Sequence, residues 1–379
     1  MDARGARARG WRLGYRRELD GVRGVAILLV IASHALGLGR GDTRFSPLGS
    51  AGVTLFFVLS GFLITSLLVE EQMRTGRLDL RRFYWRRAVR LGPALIVIVL
   101  FTSSIGGLLG SGRPPLLPVI CYVANWVQAS SGGMGILGHT WSLSIEEQFY
   151  VLWPAALAVT MRWRRVQVAL VIGGIVASTI LRFVVAGGLH ASMRAYYGSD
   201  TEAASLLLGC LLALLAHRGL RAWKVPTWMV SGAVVASALT FFVSGPTAST
   251  VIVPTVAAPL GATLIWACCC NPGGVLAGRP LTYLGSRSYG LYLWNYIVLA
   301  VAVGRGRTVV GIAAGLAVTF VLAEVSWRLV ERPIQSRFRQ VPDVVRALPR
   351  LTGGFPVWRP TFSVGADLQT KAVAVPPSR

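Results

Sequence analysis

Ten apolar stretches, several of them close to the ~20 residues that cross a bilayer as a helix, recur along the chain at short intervals. They run approximately Val22–Gly39, Gly52–Val69, Leu91–Gly110, Ile145–Thr160, Val166–Ala186, Ala203–Ala216, Trp228–Ser244, Val251–Cys270, Tyr289–Val303 and Thr308–Leu329. An eleventh stretch, Leu116–Ala129, is shorter, follows Pro114 and Pro115, and contains Asn125 and Gln128. Length and flanks argue against a crossing there and predict a re-entrant or interfacial segment. The pattern therefore predicts an all-α polytopic membrane protein of about ten transmembrane helices.

Composition agrees, with 54% hydrophobic and 14% charged residues in a chain of 379. The formal net charge is +23, and Lys224 and Lys371 are the only lysines among 38 basic residues. The arginines gather between the apolar runs, a distribution that describes membrane topology and not a nucleic-acid surface. With Arg4, Arg7, Arg9, Arg12, Arg16 and Arg17 on the cytoplasmic side, ten crossings also place four further basic groups there. These are Arg74 to Arg90, the loop of Arg162, Arg164 and Arg165, the loop of Arg218, Arg221 and Lys224, and the tail from Arg332. A crossing by Leu116–Ala129 would expose the second and third to the outside, so both termini are expected to be cytoplasmic. Arg305 and Arg307 then lie on the outer side as a small exception.

The organisation read from this is a basic N-terminal segment over 1–18, a membrane domain over 19–338 and a largely disordered cytoplasmic tail over 339–379. The first span carries Arg23 and His34 and lacks a small-residue cleavage site after it, so it reads as an uncleaved span and not a signal peptide. Cys121 and Cys210 stand alone in apolar runs and Cys268, Cys269 and Cys270 are consecutive, which suggests neither a disulfide framework nor a metal site. The absence of an internal repeat disfavours a transporter built from inverted halves.

Ionisable side chains at membrane depth mark candidate chemistry. Arg23 and His34 lie eleven residues apart in GVRGVAILLVIASHALG. Eleven residues make about three helical turns, so both side chains share one face, roughly 16 Å apart. A second group is Leu78 to Leu91, LDLRRFYWRRAVRL, in which Arg82, Arg86 and Arg90 form a ridge and Arg87 lies three before Arg90. Such a row suits phosphate recognition or a membrane anchor. The third is HTWSLSIEEQFYVLWP, where Glu146 and Glu147 sit among Trp141, Phe149, Tyr150 and Trp153. One carboxylate is expected to face the bundle and its neighbour water, and the rings also fit an interfacial belt.

Together these residues suggest a neutral, buried His34 acting as general base on an acceptor hydroxyl. Glu146 would orient that histidine or the acceptor, and the arginines would hold a phosphate-rich acyl donor. His34 lies on the order of 18 Å along the first span from Val22, a distance that a pantetheine arm covers and a bare nucleotide does not. An acyl-CoA is accordingly a chemically sensible donor.

The chain resembles the type 3 family of membrane acyltransferases, which O-acylate sugars and related hydroxyl compounds. The resemblance runs from Leu19 to Pro333 and rests on ELDGVRGVAILLVIASH, GVTLFFVLSGFLIT, FYWRRAVRLGPAL, HTWSLSIEEQFYVLWP, SYGLYLWN and ERP in that order. It implies an acyl-CoA-dependent O-acyltransferase with His34 and Glu146 as catalytic residues and Arg23, Arg86, Arg87 and Arg90 on the donor. Ser60, Trp141 and Glu147 fall in the matching blocks as candidate substrate contacts. In two places the chain departs from the family. Glu202 and Ala204 stand where the family commonly has the arginine and aspartate of Thr-Arg-x-Asp, and Asn295 stands where a histidine often follows Tyr-Leu-Trp. The expected acyl group is acetyl or another short acyl, delivered within the membrane domain alone in a bacterial inner membrane. The expected acceptor is a cell-surface polysaccharide or glycolipid, with a glycosylated natural product such as a macrolide antibiotic as the alternative. A proton-coupled transporter or flippase, using Arg23, His34 and Glu146 as its pathway, is the reading of another class.

Overall fold

The computed structural model describes residues 11–40, 47–105, 115–130, 133–187, 191–219, 248–304 and 308–338, and these are helices joined by short turns. Helices α1 (Arg17–Arg40), α2 (Pro47–Thr75) and α3 (Leu80–Ile105) are followed by two short ones, α4 (Leu116–Ile120) and α5 (Ala124–Ser130). A 3-10 turn over Gly135–Thr140 leads into α6 (Trp141–Thr160), and α7 (Arg164–Ala186), α8 (Ala191–Tyr197) and α9 (Ser199–His217) follow. The chain continues through α10 (Val253–Cys270), α11 (Arg279–Ser286), α12 (Ser288–Gly304), α13 (Val309–Ser326) and α14 (Arg332–Arg337).

Among the described residues, seven helical segments are long and apolar enough to cross a membrane. They coincide with seven of the ten apolar stretches. In lipid every backbone polar group must be satisfied within the segment, which is why runs of apolar residues become helices here. Ile145–Thr160 and Tyr289–Val303 fall in α6 and α12, of 20 and 17 residues. Trp228–Ser244, the tail 339–379, Arg305 and Arg307 lie outside the described residues. Leu116–Ala129 forms α4 and α5, separated at Tyr122, whose φ of 53° breaks the helical path. Five- and seven-residue helices are too short to cross. The arginine ridge forms the first third of α3, which continues through Pro93.

Helix α2 lies at the centre, with 72% of its most apolar window buried, against 17% for α7 and 22% for Val309–Arg337. The two outer elements present Val166, Leu170, Ile180 and Val321 outward, as lipid-facing helices do. Its closest neighbour is α9, and the two backbones nearly touch. A Cβ built on Gly61 would lie 1.9 Å from the Leu206 carbonyl oxygen, and one on Gly209 would lie 2.0 Å from that of Val58. Small residues at such crossings let membrane helices pack by direct backbone approach. Helix α1 is seated in the same way against α11, where Gly285 faces the Asp20 carbonyl. This packing fixes α1, and with it Arg23 and His34, against the centre of the bundle.

Candidate active site

Ionisable residues of α1, α3 and α6 form one cluster where the three helices meet. Arg23 pairs with Asp20 at 3.6 Å, and Arg87 donates to Glu147 at 3.2 Å while its guanidinium lies over the Tyr150 ring. Arg90 faces Arg23, Arg87, Tyr150 and Glu146. Arg90 makes no ion pair among the described residues. Three guanidinium groups converging in this way repel one another, and an anion among them relieves the repulsion. Arg86 is directed elsewhere, toward Glu71 and Arg82. Ser60 donates to Glu146 at 2.7 Å. Both carboxylates therefore point into the bundle, in contrast to the expected division between bundle and water.

The other end of the same α1 face carries a second, differently built centre. His34 and Ser33 line a cavity of ≈ 50 Å³ with Gln128 from α5, His139 from the 3-10 turn and Trp141 at the start of α6. Tyr196 and Tyr197 of α8 and Tyr292 and Tyr296 of α12 supply further walls. Trp141 stacks obliquely on Tyr196 with ring centroids 4.7 Å apart, and Tyr296 lies 5.0 Å from His34 and 5.2 Å from His139. One tyrosine thus contacts both imidazoles. Burial pushes the His139 pKa down to about 3, which keeps its ring neutral.

His34 Nδ1 and Asn295 Oδ1 are 2.5 Å apart. The Asn295 amide nitrogen donates to the carbonyls of Leu291 and Tyr292, both at 2.8 Å, so its oxygen is the atom turned to His34. The side chain that meets His34 Nδ1 is that of Asn295, whereas Glu146 accepts from Ser60. The loop chemistry around this cavity is tied down by a polar network. Gln148 of α6 donates to Tyr122 O and Asn125 Oδ1, and Asn125 donates to Tyr197 O and Ser199 Oγ. The two short helices are thereby fastened to α6 and to the α8–α9 corner that holds the tyrosines.

Of the residues singled out in the sequence, the structure brings Arg23, Arg87, Arg90, Ser60, Glu146 and Glu147 together at one level. It places His34 and Trp141 at another. Arg86 joins neither. Glu147, expected as a substrate contact, is the partner of Arg87. Glu202, in the unusual SDTEAASLLLGC stretch, is buried and pairs with Arg182 of α7 at 3.0 Å, while Arg182 also donates to the Thr201 carbonyl. The residues that sequence reasoning passed over are His139, Gln128 and the four tyrosines. His139 opens the block already quoted, and its polar neighbours in an apolar chain were the available signal.

A bundle of membrane-length helices with a half-buried histidine at one level and converging arginines at another defines a multi-pass membrane protein. The acyltransferase 3 family model, described as an acyltransferase domain, matches residues 16–327, and the chain belongs to this family. It is similar to YrhL of Bacillus subtilis, with 34% identity over 85% of this chain and 55% of the relative. It is also similar to the peptidoglycan O-acetyltransferase OatA of Listeria monocytogenes, 32% identical over 85% of this chain and 56% of the relative. The O-acetyltransferase OatA of Staphylococcus aureus is 31% identical, over 85% of this chain and 58% of its own length. The chain thus spans a little over half the length of these curated relatives. No solved structure matches it.

Proposed function

We propose that this protein is a bacterial inner-membrane O-acyltransferase that moves an acetyl or short acyl group from acyl-CoA to a hydroxyl of a cell-surface glycan. The observation that carries the reading is the arrangement along α1, with Arg23 among converging guanidinium groups and His34 in a polar, aromatic-walled cavity about 16 Å further along the same face. The peptidoglycan O-acetyltransferases among the relatives support the acceptor class.

In this reading Arg23, Arg87 and Arg90 hold the phosphates of the donor, and its pantetheine arm extends along α1 toward His34. Asn295 Oδ1 accepts a hydrogen bond from the Nδ1–H group, so Nε2 carries the lone pair. Nε2 removes the proton of the acceptor hydroxyl as the oxygen forms a bond to the acyl carbonyl carbon. The carbon–sulfur bond of the tetrahedral adduct then breaks, and the imidazolium returns the proton to the leaving thiolate. The products are the ester and free CoA thiol. Glu146, fixed by Ser60, faces Arg90 and sets the charge of the arginine cluster.

The test is mass spectrometry of glycans, glycolipids and secreted metabolites from cells with and without the gene, complemented by wild type or His34→Ala. An acyl mass shift on a glycan that returns only with wild type is the expected result. A shift restored by His34→Ala removes the histidine from the role of base, and a shift confined to a secreted metabolite moves the acceptor to a glycosylated natural product. Cargo movement without consumption of acyl-CoA would make the protein a transporter.

A further inference from the structure

Gln128 and His139 are buried side chains, 6% and 4% exposed, that line one cavity and are incompletely satisfied. The Gln128 Oε1 atom has no hydrogen-bond partner among the described residues, and neither ring nitrogen of His139 makes a hydrogen bond of ordinary geometry. Its neighbour Asn125, three residues earlier on α5, is fully engaged, donating to Tyr197 O at 3.0 Å and Ser199 Oγ at 2.9 Å and accepting from Gln148 at 2.9 Å. The contrast is informative. Asn125 anchors the short helix, and that anchoring holds Gln128 beside His34 instead of letting it turn away. A buried amide oxygen left without a donor is unfavourable, and its natural complement is a donor that arrives from outside the protein.

We infer that Gln128 is an acceptor-recognition residue, whose Oε1 accepts a hydrogen bond from a sugar hydroxyl adjacent to the hydroxyl that is acylated. This rests on the acyl-transfer reading above. A cavity of ≈ 50 Å³ admits about three water-sized groups and therefore one edge of a sugar, not a whole ring. An edge carrying two neighbouring hydroxyls would place one at His34 Nε2 and the other at Gln128 Oε1. Trp141 and Tyr196 supply the apolar wall against which the C–H face of the sugar rests, as apolar surfaces with a few placed polar groups do in ligand sites generally. The short segment before α6, which cannot cross the membrane, is in this view the part of the fold that chooses which hydroxyl is modified.

The experiment pairs a protein change with an acceptor change. Purified wild type and Gln128→Met are assayed with acyl-CoA and a soluble monosaccharide glycoside, and again with its monodeoxy analogues, reading acceptor KM and donor KM separately. The expected result is that one deoxy analogue raises the wild-type acceptor KM about tenfold, the magnitude of one neutral hydrogen bond. Gln128→Met raises the acceptor KM with the full glycoside by a similar factor, keeps its donor KM, and no longer distinguishes that analogue. Wild type that accepts every deoxy analogue equally well overturns the inference without any variant being needed, as does a Gln128→Met enzyme that still discriminates. Wild type that acylates no hydroxyl compound at all overturns the proposed function itself, a separate result.

Discussion

The Nδ1 atom of His34 on α1 and the Oδ1 atom of Asn295 on α12 lie 2.5 Å apart, joining positions 261 residues apart in the chain. Because the Asn295 amide nitrogen is committed to two backbone carbonyls, the asparagine presents only an acceptor, and His34 must donate from Nδ1. Replacing Asn295 with leucine frees the histidine to adopt the other tautomer and to rotate. The expected outcome is a fall in kcat of about 10²-fold or more, with donor KM nearly unchanged. Asn295→His, which restores an acceptor nitrogen, should retain much more activity than Asn295→Leu. Equal activity of wild type and Asn295→Leu in steady-state assays would show that His34 needs no orientation.

Arg87 and Arg90 face the cluster around Glu146 and Arg86 does not, although all three lie within five residues of one another. Arg90→Ala should raise donor KM on the order of 10- to 100-fold, the range of a charge-assisted hydrogen bond. Arg86→Ala should change it little. A truncated acyl-pantetheine donor without the nucleotide phosphates should be insensitive to Arg90→Ala. Equal losses with both donors would assign the arginine to folding or to lipid.

Arg182 and Glu202 are each 2% exposed and 3.0 Å apart. Removing one partner leaves the other charge buried, at a cost of about 3–5 kcal/mol. Glu202→Ala should therefore lower the thermal unfolding temperature in detergent and the yield of folded protein. The double change Arg182→Met with Glu202→Leu should recover most of that loss. A single Glu202→Ala variant as stable as wild type would contradict the buried pair. At position 202 this chain thus carries a glutamate that partners an arginine of α7.

Gly61 and Gly209 allow α2 and α9 to meet backbone to backbone. Gly209→Leu should prevent that contact, since even one added carbon would lie 2.0 Å from a carbonyl oxygen. Overpacking in a rigid core typically costs about 1–3 kcal/mol, and a backbone clash in the centre of the bundle should exceed it. The measurement is the fraction of monodisperse protein on size-exclusion chromatography. Substitution of Gly173, whose Cβ would meet nothing, serves as the control and should leave that fraction unaltered.

The helices themselves were legible in the order of residues, because a segment in lipid has to satisfy its own backbone and so declares itself by apolar length. The shared face of Arg23 and His34 was legible for a similar reason, as a consequence of the helical period alone. The short Leu116–Ala129 stretch could be excluded as a crossing by its prolines and polar residues, and α4 and α5 bear that out. What tertiary structure decided was which side chains meet. Whether Glu146 reaches His34 or Ser60, whether Arg86 or Arg87 turns inward, and whether Asn295 is a loss or a substitute all depend on how each helix is rotated against its neighbours. That rotation is set by contacts such as Gly61 with Leu206 and Gly285 with Asp20, between residues far apart in the chain, and no local periodicity encodes them.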